Sequence, residues 1–171
     1  IDYIPASHVT IIVEEEPPYK LTIFGVTHEK MMFGPNFTLQ TEITTESDSL
    51  QFEVFDSVRN NSGHESEMEM IYHLNFGRPL LEEGARFIAP VDRVTPRDER
   101  AAEGIAEFYE YGPPQPGYVE QVYYLKPRVD RAGMTQVLLR NAEGDRGIGI
   151  RYAVAHLPCL SVWKNTAAEA D

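Results

Sequence analysis

The 171-residue chain has one cysteine, Cys159, and one tryptophan, Trp163. A lone thiol can form neither an intrachain disulfide nor a cysteine-rich metal site, and Cys159 follows Pro158 in an apolar stretch that suits an inert side chain. Positive charge is scarce as well: 15 Lys and Arg stand against 27 Asp and Glu, a net charge of −12. Such a field repels phosphate backbones and anionic lipid, which speaks against nucleic acid and membrane as partners, while a neutral ligand is indifferent to it. No apolar run approaches the roughly 20 residues that cross a bilayer as a helix. The first residues, IDYIPASH, lack the basic-then-apolar layout of a secretory leader. Together these absences predict a cytoplasmic protein or a segment of one.

What is present reads as a folded chain. Hydrophobic residues make up 42% and aromatics 11%, enough for the core of one domain. Alternation with period two dominates the first 75 residues and predicts strands over 8–14, 19–26, 36–45 and 50–59. The stretch Glu46-Ser47-Asp48-Ser49 has turn chemistry, so the third and fourth of these form a hairpin. A polar turn at 60–63 leads into a further predicted strand over 66–75. Strands resume at 118–125, 134–141 and 147–154, followed by an apolar run at Leu160–Trp163. The expected class is all-β, an antiparallel β-sandwich in a single domain over 1–171. Residues 76–117 interrupt it as a long irregular insertion with one short helix near Arg97–Glu103; so long a connection is usually functional or a cover.

Candidate chemistry centres on the strand predicted over 66–75. Extended geometry puts Met68, Met70, Tyr72 and Leu74 on one apolar face, suited to packing between sheets. Glu67, Glu69, Ile71, His73 and Asn75 share the other face, and its ionisable groups are costly to bury without partners. A wet, ligand-holding concavity satisfies them, with His73 and Asn75 pointing the same way. Imidazole titrates near working pH and so suits acid–base work, although a structural histidine at a sheet surface fits the same pattern. His64, Glu67, Glu69 and His73 also raise a metal site, but the spacing lacks the tight histidine pairs of metal-binding all-β folds. Neither a metal nor a cofactor is expected. Gly144–Gly149 joins strands with no helix behind it to receive a phosphate.

The run from Ile71 to Gly84, YHLNFGRPLLEEG after its first residue, resembles the aldose 1-epimerase-like (galactose mutarotase-like) families, in which a strand histidine is the general acid. It is most similar to a bacterial subgroup that also shows a Trp-Lys-Asn run like Trp163-Lys164-Asn165 and a turn like Phe33-Gly34-Pro35-Asn36. The resemblance implies a partial galactose mutarotase-like supersandwich and an isomerase acting on a free sugar or sugar derivative, with His73 as acid. The base glutamate of those families lies in a Gly-Leu-Glu-Pro-like turn that is missing here, as is a second histidine motif. The chain is therefore expected to be the central part of a longer protein and inactive alone. A non-catalytic carbohydrate-binding sandwich is the alternative. Asn75, Arg151, Trp163 and Lys164 complete the expected binding set. Arg151 lies among glycines that let a ligand approach a two-pronged guanidinium, or it is an ordinary surface arginine. Trp163 offers a flat face to the C–H side of a sugar, or fills core or rim. Lys164 bonds a hydroxyl or is simply solvated.

Overall fold

The structure, a computed structural model, describes residues 4–168, which divide after Tyr72 into two compact units. The first is a four-stranded antiparallel meander of β1 (His8–Val13), β2 (Leu21–Lys30), β3 (Asn36–Thr45) and β4 (Glu53–Asn60), paired in that order. The predicted hairpin is present: Ile43 pairs with Val54, and Asp48 takes the turn at φ 61°. That left-handed conformation is one that a short polar side chain tolerates. Period-two patterning sets the register, since a one-residue slip would move every aliphatic side chain to the other face. Ile11, Ile23, Ile43 and Val54 thereby fall opposite one another in a row across all four strands.

Residues 66–75 do not form the predicted strand. A strand needs a neighbour to take its backbone N–H and C=O groups, and no ladder among the described residues reaches this segment. The face expected to pack between sheets is correspondingly open, with Met68, Tyr72 and Leu74 all exposed. Alternation records a fit to a pleated surface and is silent about whether a partner strand exists. Side chains anchor the first unit's end of the segment instead. The Tyr72 hydroxyl donates to Oδ2 of Asp56, whose Oδ1 accepts from Thr41 at 2.5 Å. Burial, then the bond to Asp56, pushes the Tyr72 phenol up to about 12.

In the second unit, two three-stranded antiparallel sheets share a core. One runs β10 (Leu160–Lys164), β7 (Gln121–Pro127), β6 (Val91–Pro96). The other runs β5 (Arg86–Ile88), β8 (Met134–Arg140), β9 (Gly147–Ala153). Phe87 of β5 packs against both apolar clusters, one built on Tyr123, Leu125 and Val162, the other on Ala85, Tyr111 and Leu139. The all-β expectation holds, and every strand ladder among the described residues is antiparallel. The stretch 76–117 carries β5, β6, helix α1 (Glu99–Glu103) and a 3₁₀ turn at Ile105–Glu107. Helix α1 falls where the sequence placed one because Asp98 caps it, accepting from the Ala101 N–H at 2.9 Å.

Gly104 ends that helix against the sheet. A Cβ at this position would lie 2.6 Å from Nε2 of Gln121 and 2.9 Å from the Tyr123 hydroxyl. Gln121 is held in turn, receiving the Tyr118 hydroxyl at 2.6 Å and donating to the Arg100 carbonyl at 2.9 Å. Gly104→Ala is therefore expected to destabilise the fold by ~1–3 kcal/mol, the cost of overpacking a filled site. A melting temperature equal to that of the unsubstituted chain would show that the helix end gives way freely.

Candidate functional site

Strict alternation along β7 sorts its side chains onto two faces. Gln121, Tyr123 and Leu125 are buried, while Tyr124 and Lys126 face outward. On the neighbouring strand Trp163 pairs with Val122, and Val162 with Tyr123. Trp163 therefore stands on the outer face of the sheet and Lys164 on the inner, an outcome of period two alone.

His73 meets Trp163 on that outer side. Their ring centroids are 5.9 Å apart with the planes at 65°, an edge-on arrangement that leaves both rings accessible. His73 is exposed, and Trp163 is 51% exposed. The indole Nε1–H donates to Oε2 of Glu120 at 2.5 Å, and Oε1 of the same carboxylate accepts from Arg97 at 2.9 Å. Arg97 also donates to Asp98 at 2.8 Å. Those two bonds hold its guanidinium above the usual range, that to Asp98 contributing most. Asp98 is held below the usual carboxylate range, chiefly by the Ala101 N–H and then by Arg97. A ring able to carry a proton, a flat aromatic surface and an ion-paired carboxylate thus lie together in solvent.

The other expected residues stand apart from this group or behind it. Asn75 is exposed two residues beyond His73. Lys164 is 8% exposed, and its ammonium donates to the carbonyls of Glu107, at 3.1 Å, and Glu110. It also lies 5.3 Å from the centre of the Tyr111 ring. Burial lowers its pKa, opposed by the nearby Glu107 and Glu110 carboxylates. It lines two clefts of about 230 and 390 Å³ on the inner side, one beside Arg100, Tyr118 and Gln121, the other beside Glu83 and Tyr111. Arg151 is on β9 in the other sheet, exposed, with Asp130 at 3.7 Å. Among the described residues no three His, Cys, Asp or Glu side chains converge as a metal cage requires. No helix there is long and apolar enough to cross a membrane.

Sequence reasoning missed Glu120 and Arg97. Each looks like an ordinary surface charge until β6, β7 and β10 are laid side by side. The signal that was available was the alternation of Glu120, Val122 and Tyr124 against a buried Gln121, Tyr123 and Leu125.

Comparison with known proteins places the chain in a family. A crystal structure from Klebsiella pneumoniae, described as "a putative aldose 1-epimerase", superposes with a TM-score of 0.94 at 33% sequence identity. The match covers 96% of the present chain and 43% of that one, so the chain spans less than half the length of that relative. Over that part the two share an aldose 1-epimerase-like β-sandwich. No curated protein matches the chain. A family model described as a domain of unknown function, DUF4432, matches residues 1–170, and the chain belongs to that family.

Proposed function

We propose that the outer face bearing His73 and Trp163 binds a free sugar or sugar derivative, and that His73 is the general acid of an aldose 1-epimerase-like reaction there. The observation that carries this reading is the pairing of the two rings at 5.9 Å on an accessible surface. Catalysis needs a proton donor beside a bound pyranose, and an indole is a fitting floor for the ring's C–H face. His73 protonates the ring oxygen while a carboxylate removes the anomeric hydroxyl proton; the C1–O5 bond opens, the C1–C2 bond turns, and closure gives the other anomer. Donor and acceptor need opposed protonation states, so two groups of different acidity share the step. The second group is proposed to lie outside these 171 residues, consistent with a relative more than twice as long. The 171-residue chain is then a binding half without turnover, and a cytoplasmic setting goes with the reading.

Asn75 joins as a hydroxyl ligand in this proposal, while Arg151, on β9 of the other sheet beside Asp130, stays outside it. Lys164 contributes from behind, bracing β10 through the two carbonyls it holds. Because Trp163 is the only tryptophan, its fluorescence reports on the site directly. Titration with D-galactose and D-glucose is expected to shift or quench the emission saturably, and Trp163→Phe should weaken the binding when followed by calorimetry. A flat titration with both sugars, at concentrations reaching well above the millimolar range, would remove the sugar reading.

A further inference from the structure

We infer that Glu120 is a positioning residue of the sugar site proposed above, tying the indole of Trp163 to the Arg97 guanidinium across three strands. The inference rests on that reading for its purpose and on geometry for its substance. Trp163 is on β10, and Glu120 immediately precedes β7. Arg97 directly follows β6 and donates its backbone N–H to the Val122 carbonyl at 2.9 Å. Val122 is also the residue paired with Trp163. Arg97 and Trp163 therefore flank β7 from either side at the same level, and the Glu120 carboxylate spans the gap, one oxygen to each.

A half-exposed tryptophan has two free side-chain torsions and would otherwise sample several rotamers. The bond to Glu120 is charge-assisted, and the carboxylate that accepts it is itself paired at 2.9 Å with a guanidinium that Asp98 holds on its other side. Asp98 holds the far side of Arg97 while it caps α1, so the tether ends on the helix start. The consequence is an indole whose N–H edge is fixed to the sheet, leaving its remaining exposed surface, beside His73, to a ligand. Each carboxylate oxygen has a second lone pair, so a sugar hydroxyl can be received at Glu120 without breaking either bond.

The test uses the 171-residue chain and the fluorescence of its one tryptophan. Glu120→Ala is expected to raise acrylamide quenching and lower the steady-state anisotropy of Trp163, the released population growing roughly ten-fold with loss of a charge-assisted bond. Glu120→Gln, whose amide oxygen still accepts from the indole, should restore most of both signals. Circular dichroism of both variants controls for folding, and Arg97→Gln, which frees only the anchor, should give an intermediate value if Glu120→Ala folds poorly. Quenching and anisotropy unchanged in Glu120→Ala, or no rescue by glutamine, would overturn the inference. D-Galactose titration of the same variants separates it from the function proposed. If the unsubstituted chain binds no sugar, that function fails while the tether is still judged by the anisotropy. Where the sugar does bind, Glu120→Ala should weaken it roughly ten-fold.

Discussion

On the function proposed above, replacing His73 with glutamine should slow catalysed anomer interconversion ~10²–10⁴-fold, the usual contribution of a placed general acid. Glutamine keeps hydrogen-bonding capacity and comparable bulk but has no proton to transfer at working pH. The loss should therefore fall on kcat, with KM changed little. Trp163→Ala is expected to act in the opposite way. It removes the surface against which the ring lies and so should raise KM more than it lowers kcat. The readout is optical rotation of a freshly dissolved single anomer, taken on a form of the protein long enough to accelerate the reaction. In the 171-residue chain the same His73 substitution should leave the sugar-induced change in Trp163 emission largely in place, because the floor of the site remains. If His73→Gln turned over as fast as the unsubstituted protein, the imidazole would be structural and the carbohydrate-binding alternative would take its place.

How much of this was legible in the sequence depends on which interactions are local. Period-two alternation and turn chemistry are local, and they placed β3, β8 and β9 within a residue of the observed limits. The hairpin at Asp48 and the capped helix after Asp98 were legible for the same reason. Partnership is not local. The segment 66–75 alternates as cleanly as β4 does, yet only β4 has a described neighbour to complete its hydrogen bonds. The insertion at 76–117 hid two short strands, because β5 has three residues and β6 carries a register shift between Val91 and Arg93. Three residues are too few for a periodicity to register. At the site, His73 was singled out by the alternation of 66–75 and Trp163 by its flat face, and a family resemblance added weight to both, but none of these supplied the contact between them. Glu120 and Arg97 depended on the register of three strands. Lys164 was expected to bond a hydroxyl or to be solvated, although it follows an outward Trp163 by one residue and so turns inward.

The interior beneath the site supplies the second large effect. Tyr123 is the bulkiest side chain that the described residues bury completely, at 0% exposure, and it pairs with Val162, the residue before Trp163. Truncation to alanine should cost ~3–5 kcal/mol, the range for deleting a buried aromatic ring that its surroundings cannot refill. The phenol oxygen has a different role from the ring. It has no hydrogen-bond partner among the described residues, and burial pushes its pKa up. A buried hydroxyl without a partner is a cost already carried by the folded state, so Tyr123→Phe should be neutral or stabilising by up to ~1 kcal/mol. The pair of variants separates packing from polarity at one position, read by chemical denaturation with an unchanged slope. The same oxygen is one of the atoms that a methyl group at Gly104 would meet. Gly104→Ala should therefore cost less in the Tyr123→Phe background than alone, a non-additivity of the kind contacting residues show. Because Gln121 still crowds that methyl from the other side, part of the cost should persist in the double variant. Destabilisation by Tyr123→Phe comparable to that of alanine would mean that the hydroxyl is bonded after all, and that the inner layer under Trp163 is held by polarity as well as by fit.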